Sequence, residues 1–324
     1  MGRTVSLILI LGTLASVTAD AGVPFNGKSD EALLRAISSG CRPERTVDRS
    51  ALNFKMTDHF TGREVTVTSG NLPDTYGWAT LVPSVWWDNS GEVFGQSVAS
   101  DLYNLIPLDA ATLKIRGDLA PGEVTDATFS NAHWSAGRGE VYGVLTDLYS
   151  PPASMRGELA RAFFYMVSLY HVATWTPRAY MMLTSEFYPG LSAYAIPLLM
   201  AWHRSYPPSA FELERNVDGE RLQGNRNPFV DYPELAEYLW GDRKGESFVV
   251  AGEPQPLRSV YKLDSDVIDL YSPWIPADAE WQIDGLPVSS ASVGASQLGV
   301  GTHNLNYYSP STGERGVLMV KIEK

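Results

Sequence analysis

The stretch Gln223-Gly224-Asn225-Arg226-Asn227-Pro228-Phe229-Val230-Asp231-Tyr232-Pro233-Glu234-Leu235 is the most specific feature of this 324-residue chain. Its glycine, proline, amide and charged residues follow an order that neither an ordinary core segment nor an ordinary surface loop requires. Ahead of it, Ser209-Ala210-Phe211-Glu212 fits a capping box and predicts a helix start. Behind it, Pro233 to Trp240 followed by Gly241 is typical of a helix with proline in its first turn and glycine past its end.

Hydrophobic periodicity predicts further helices upstream. Asp30 to Ser38 reads as a short amphipathic helix. Gly157 to Tyr170 places its apolar residues on one stripe, with Glu158 and Arg161 on another face, and is expected to be a central core helix. The apolar segment Ala179 to Ala201 is interrupted by prolines and is expected to form two short helices rather than a membrane span.

The character of the chain changes after about residue 256, where helical periodicity disappears. Trp281 to Gly285 and Val317 to Ile322 look like strands separated by glycine, serine and Asp-Gly turns. Gly301 to Pro310 resembles the penultimate strand of bacterial Ig-like modules. Residues 256–324 are therefore predicted to form a small C-terminal β-sandwich, and residues 22–255 the preceding domain.

The N-terminus carries the pattern of a secretory signal. Met1 to Ala21 combines a lone arginine, an apolar run and a small-residue cleavage site, and the run is shorter than the roughly 20 residues that span a bilayer. We therefore expect residues 1–21 to be removed, no transmembrane segment afterwards, and a secreted or periplasmic protein. Cys41 is the only cysteine, so no internal disulfide is expected.

The net charge of −12 bears on possible partners. Nucleic-acid affinity comes largely from neutralised phosphates, so an acidic chain needs a local basic patch to bind DNA or RNA. No basic run occurs, and such a patch would have to be assembled in three dimensions from scattered arginines. The simpler interpretation of the acidic surface is solubility.

Three stretches carry a resemblance to a known family, covering roughly Asp30 to Asp242. They are Asp101-Leu102-Tyr103-Asn104-Leu105-Ile106-Pro107-Leu108-Asp109 with the later Arg116 and Gly122-Glu123-Val124, then Arg156-Gly157-Glu158-Leu159-Ala160-Arg161-Ala162-Phe163-Phe164-Tyr165-Met166, then the Gln223 to Leu235 stretch. Together they resemble the endonuclease I family of secreted non-specific nucleases. The resemblance implies an α+β fold: a His-Me finger (ββα-metal) domain, mainly helical with short strands.

The resemblance also implies a set of catalytic positions, most of which are substituted here. The family uses a histidine to deprotonate water, a divalent cation such as Mg²⁺ and an arginine on the phosphate. Aligned through Tyr76, Pro83 and Trp86, the base position falls on Thr80, and the metal-ligand positions fall on Ala79 and Leu113. Tyr103 occupies a further histidine position, and only Arg116 is retained.

Three functions follow as alternatives. The first is an inactive or strongly impaired nuclease that acts as a binding module, because a lost base alone costs about 10²- to 10⁴-fold in rate. The second is an active Mg²⁺-dependent endonuclease with a rearranged site, completed by His133, Glu92 or another residue. The third is an extracellular module that binds an extracellular or envelope protein through its β domain. Magnesium is implied only if the protein is active.

The retained motif residues allow two interpretations. Glu212, Arg215, Asn216, Asn225, Arg226 and Asn227 fit a buried polar network that fixes the fold. Alternatively, Arg215 and Arg226 bind phosphate together with Arg116 as forked donors, forming a local arginine patch for nucleic acid. Trp78, Trp86, Trp87 and Tyr103 are candidates for an aromatic binding patch or for core packing.

Overall fold

The structure is a computed structural model that describes residues 25–87, 92–93, 96–170, 175–249, 257–271 and 275–324. The predicted signal segment 1–21 and His171 lie outside these residues. The described chain mixes helices with mainly antiparallel sheets, in agreement with the α+β class expected from the sequence. Its α-helices are α1 (Asp30–Gly40), α2 (Ala110–Arg116), α3 (Arg156–Leu169), α4 (Ala195–Ser205), α5 (Ala210–Gln223), α6 (Pro228–Asp231), α7 (Leu235–Trp240) and α8 (Ala295–Leu298).

Helix α3 forms the centre of the main hydrophobic core. Every residue from Gly157 to Leu169 is buried, and α1, α4 and α6 pack against the helix. Phe164 of α3 stacks on Trp240 of α7 with ring centroids 4.8 Å apart. Glu158 and Arg161 were expected on another face of α3 than its apolar stripe, and that face is buried too. Both are buried because each forms an ion pair with a residue of α5.

A ββα unit lies beside this core. Strand β3 (Tyr76–Thr80) pairs antiparallel with β6 (Leu105–Asp109), and α2 follows β6 without a loop. The Asp109 side chain caps α2 by accepting hydrogen bonds from the Ala111 and Thr112 amides, as short polar side chains do at helix starts. The strand register places Ala79 opposite Ile106 and Thr80 opposite Leu105, and the Thr80 carbonyl accepts a hydrogen bond from Arg116 at the end of α2.

Three more sheets precede the C-terminal region. Two are hairpins, and the third is four-stranded in the order β7-β10-β9-β8. Their strands are β1 (Phe54–Asp58), β2 (Arg63–Val67), β4 (Glu92–Val93), β5 (Gln96–Ser97), β7 (Ala120–Pro121), β8 (Asp126–Ser130), β9 (Ser135–Val141) and β10 (Val144–Ser150).

Polar residues and a glycine fix the ends of the helices in and before the segment quoted first. Ser209 and Glu212 form the predicted capping box at the start of α5. Gly224 ends α5 in the left-handed conformation, with φ of 80°, which glycine adopts without strain. The Asn227 side chain then caps α6, whose first residue is Pro228.

The segment Ala179 to Ala201 does not form the two short helices expected from its prolines. A 3₁₀ turn spans Pro177–Ala179, and one α-helix, α4, begins at Ala195. Pro197 lies in the first turn of α4, where its missing N–H has no helical partner to lose. Within the residues described, no helix is both long and apolar enough to cross a bilayer.

The C-terminal residues have a core of their own. A five-stranded sheet in the order β11-β17-β16-β13-β14 encloses Tyr261, Trp281, Leu305 and Ile322 with the pair β12-β15. The proposed boundary at 255/256 lies in 250–256, outside the described residues, so the domain division stays a prediction. The strands are β11 (Val260–Lys262), β12 (Val267–Asp269), β13 (Glu280–Ile283), β14 (Leu286–Val288), β15 (Ser292–Gly294), β16 (Gly301–Tyr308) and β17 (Arg315–Glu323).

Candidate nucleic-acid site

A cleft of about 440 Å³ opens beside the ββα unit. Ala79 and Thr80 of β3 line it together with Leu113 and Arg116 of α2. The fold thus brings to one cavity all four positions that the sequence alignment assigned to base, metal ligands and phosphate. We refer to this cavity as the Arg116 cleft.

Arg116 is the buried charge of this cleft, with 3% of its surface exposed. Its Nη2 donates hydrogen bonds to the carbonyls of Thr80, at 2.7 Å, and Leu81, at 2.8 Å. The guanidinium carbon lies 5.2 Å from the centroid of the Tyr149 ring. Nε is buried and has no hydrogen-bond partner among the described residues. Arg116 thus brings a buried positive charge to the lining of the cleft.

The other three positions offer little to a cation. The Thr80 hydroxyl accepts a hydrogen bond from the Ser84 amide at 2.9 Å. Leu113 extends over β3, so that a Cβ added to Gly77 would lie 2.8 Å from its Cδ1. Leucine and alanine carry no side-chain oxygen, the donor atom that hard cations such as Mg²⁺ require. The residues present therefore do not fit a magnesium ion in the family manner.

The rim of the Arg116 cleft carries two further arginines. Arg178 forms an ion pair with Asp118, and both line the cleft. Arg49 lies over the Trp78 ring, with its guanidinium carbon 5.8 Å from the ring centroid, and donates weakly to the Ala99 carbonyl. These residues were not singled out in the sequence because Arg49 and Arg178 are far from the aligned motifs and converge only through the fold.

Comparison with known proteins identifies the scaffold. The family model described as Endonuclease I matches residues 32–234, more than half of the chain. The chain belongs to the endonuclease I family. An extracellular ribonuclease of Bacillus subtilis (strain 168) is 29% identical over 161 residues, covering 48% of this chain and 52% of that protein.

Two relatives from Aeromonas hydrophila are named as deoxyribonucleases. An extracellular deoxyribonuclease is 36% identical over 81 residues, which cover 25% of this chain and 28% of the relative. A periplasmic deoxyribonuclease is 28% identical over 175 residues, covering 48% and 62%. The chain spans about half the length, or less, of several curated relatives it matches, so their activities are not transferred to it by similarity alone.

The other two arginines predicted to bind phosphate are engaged inside this endonuclease I fold. Arg215 forms an ion pair with buried Glu158 at 2.6 Å and donates to the Leu105 carbonyl. Arg226 is held by Asp231 at 2.7 Å and by Glu220 at 3.0 Å. Both side chains thus have carboxylate partners, and their predicted role toward phosphate stays a prediction.

A buried polar network surrounds the signature segment. Asn216 accepts from the Asn227 amide at 2.6 Å and donates to Asp231 at 2.9 Å. The Asn225 side chain donates to the Tyr165 hydroxyl, which in turn donates to Asp101 at 2.8 Å. Burial raises the pKa of Asp101. These contacts fit the structural interpretation of the retained motif residues.

Most of the proposed aromatic patch lies in the core. Trp86, Trp87 and Tyr103 are at most 5% exposed. The Tyr103 hydroxyl donates to the Asn225 carbonyl at 3.0 Å, so this side chain belongs to the network and not to the cleft. Only Trp78 lines the Arg116 cleft with part of its surface exposed.

No described histidine lines this cleft. His133, the rescue candidate, lies near Gly62 on the loop before β9. Burial lowers the pKa of His59, which contacts Ser154, and of His203, which contacts the Pro233 carbonyl. The Glu92 side chain is outside what the structure describes. In that described part, no three His, Cys, Asp or Glu side chains group as metal ligands.

Proposed function

We propose that this chain is a secreted or periplasmic nuclease-like protein that binds nucleic acid on a His-Me finger scaffold but hydrolyses phosphodiesters poorly or not at all. One observation carries the proposal: Ala79, Thr80 and Leu113 share a cleft with the retained Arg116. The aligned positions are therefore neighbours in space, and the three substitutions lie at one site.

The consequence for hydrolysis follows from the side chains. Attack by water needs a group that accepts its proton, and a threonine hydroxyl does not do so near neutral pH. The transition state also needs its added negative charge neutralised by a bound cation, and alanine and leucine have no side-chain oxygen to bind one. Arg116 is retained, and its charged guanidinium, a group that binds phosphate, lines the cleft. Binding without efficient cleavage is the expected result.

The location of the protein is inferred from two observations. The relatives described above are named as extracellular or periplasmic proteins, and residues 1–21 have the pattern of a cleavable signal. We expect the mature protein to begin near Gly22. Mass spectrometry of the full chain exported from a bacterial host tests this, and an intact N-terminus in the cytoplasmic fraction would contradict it.

The activity test compares three forms of the mature protein on plasmid DNA and on RNA, with magnesium or with chelator. The wild type is expected to cut poorly. The variant Ala79→Glu, Thr80→His, Leu113→Asn is expected to gain about 10²- to 10⁴-fold, the size of a restored general base. A control with Ala79→Leu, Thr80→Phe, Leu113→Ala changes the same positions without supplying a base or an oxygen ligand. Chelator-sensitive cutting by the wild type at a rate similar to that of the restored variant would overturn the proposal and favour the rearranged active site.

A further inference from the structure

A second cavity lies next to the Arg116 cleft. It has a volume of about 200 Å³, and Trp78 and Leu105 line both cavities. Its other walls come from Phe54 of β1 and Phe211 of α5. We refer to it as the Trp78 pocket. The two cavities therefore adjoin through one half-buried tryptophan.

The Trp78 pocket has the composition of a site for a flat aromatic group. Phe54 lies edge-on to Trp78 at 6.4 Å between ring centroids and 6.0 Å from Phe211. All three rings are half-buried and so keep free surface, and buried leucines such as Leu52 form the floor. An apolar, aromatic interior with a polar edge is typical of small-molecule sites.

The edge of the pocket is polar and charged. Asn53, Lys55 and Glu214 are exposed there, and each can form hydrogen bonds with a polar ring edge. Sites for drug-sized ligands enclose about 300–1,000 Å³, so a cavity of about 200 Å³ suits a single ring system. A base still paired in a duplex is not free to enter it, because its edge is bonded to its partner and its faces are stacked.

The charge on the Arg116 side complements a nucleic-acid backbone. Arg49 reaches over Trp78 from the rim of that cleft, and the buried Nε of Arg116 has no partner in the described chain. We propose that the two cavities form one groove for single-stranded nucleic acid, in which Arg116 holds a phosphate and an adjacent unpaired base stacks in the Trp78 pocket. This inference rests on the proposed binding function.

The proposal predicts a base-dependent part of the affinity. Stacking of one base on aromatic side chains contributes about 1–3 kcal/mol by alanine substitution, which corresponds to about 5- to 150-fold in affinity. The phosphate contacts contribute equally for any backbone and weaken with salt. Comparison with a ligand that keeps its phosphates and lacks its bases therefore separates the contributions of the two cavities to the affinity.

The experiment measures fluorescence anisotropy of labelled oligonucleotides with the full mature chain, in chelator and at one fixed salt concentration. The ligands are a single strand, the corresponding duplex and an abasic strand of equal length. The single strand is expected to bind about 5- to 150-fold more tightly than the abasic strand, and more tightly than the duplex. This comparison uses the unaltered protein and does not depend on a variant that folds.

Two variants locate the effect. Phe211→Ser is expected to lower affinity for the single strand to the abasic level and to leave abasic binding unchanged. Trp78→Leu is expected to weaken the binding of both strands, because Trp78 lines both cavities. Leu213→Ala is the matched control, because Leu213 lies on the same helix and is 49% exposed. Far-UV circular dichroism checks that each variant is folded.

The outcomes are distinguishable. If no nucleic acid binds, both this inference and the proposed function fail. Equal affinity for the single and abasic strands, or preference for the duplex, overturns the Trp78 pocket and leaves the proposed function standing. A concentration-dependent dimer that Phe211→Ser abolishes would assign the pocket to a second copy of the chain and also overturn the inference.

Discussion

Neutralising one member of the buried Arg161–Glu212 pair is expected to cost this protein a large part of its stability. Glu212 accepts from Arg161 Nε at 2.6 Å and from Nη2 at 2.7 Å, and the two side chains are 1% and 5% exposed. In Glu212→Gln the guanidinium stays buried without its paired carboxylate, and the nearby Glu158 carboxylate is already paired with Arg215. Breaking a buried pair in this way costs about 3–5 kcal/mol.

The substitution isolates the charge from the helix cap. Glu212 also accepts from the Ser209 amide at 3.1 Å, and glutamine keeps an oxygen for that bond. Total stabilities are about 5–15 kcal/mol, so a loss of about 3–5 kcal/mol is a third of the total or more in most of that range. At about 2–4 °C per kcal/mol for a domain of this size, the thermal midpoint should fall by about 6–20 °C.

Urea unfolding at neutral pH, followed by tryptophan fluorescence, measures the change. The matched control is Glu31→Gln, which removes the charge from the surface pair Arg35–Glu31, whose side chains are 62% and 53% exposed. Exposed pairs of this spacing contribute about 0.3–0.5 kcal/mol. A loss below about 1 kcal/mol for Glu212→Gln would refute the reasoning, because it would mean that water or another group neutralises the arginine.

Three further predictions concern packing, pH and metal. Gly219→Ala should destabilise the protein by about 1–3 kcal/mol in urea unfolding, although alanine favours helices, because the new Cβ would lie 1.9 Å from the Tyr103 hydroxyl oxygen. The hydrogen bond to Asp284, 2.7 Å long, raises the pKa of His303. The pair therefore stabilises the folded state fully below about pH 6.5, and this stabilisation is lost as the pH rises through the folded-state pKa of His303. The urea midpoint of the wild type should therefore exceed that of His303→Gln by more at pH 6 than at pH 8, and a constant difference would contradict this. Millimolar magnesium should leave the thermal midpoint unchanged in differential scanning fluorimetry, whereas an increase that chelator reverses would reveal a cation site.

Local patterns predicted the elements that depend on local chemistry. The capping box at Ser209, the glycine after Trp240 and the strand predicted over residues 317–322 correspond to the start of α5, the end of α7 and strand β17. The four-stranded sheet was not predicted, because Gly137 and Gly139 interrupt the alternation of β9. Both glycines are needed there, since a Cβ would lie 2.2 Å and 2.1 Å from backbone oxygens.

The candidate site was predictable only in part. The resemblance gave Ala79, Thr80, Leu113 and Arg116 as one group, and the four line one cleft. The rim arginines and the Trp78 pocket were not predictable, because they combine residues from segments far apart in the chain. The burial of the charged residues of α3 was missed for a similar reason: their partners lie on α5, more than 50 positions later.

The hydrogen bonds described above for the Gln223 to Leu235 segment join it to residues such as Asn216 and Tyr165, and not to the side chains at positions 79, 80 and 113. Reactive groups can therefore disappear from the cleft by single substitutions while the hallmark of the family survives untouched. A genome survey that identifies nucleases by this segment alone would count proteins that have the fold, whether or not they keep the catalytic side chains. Sorting such a collection calls for inspecting what stands at the floor of the cleft, one protein at a time.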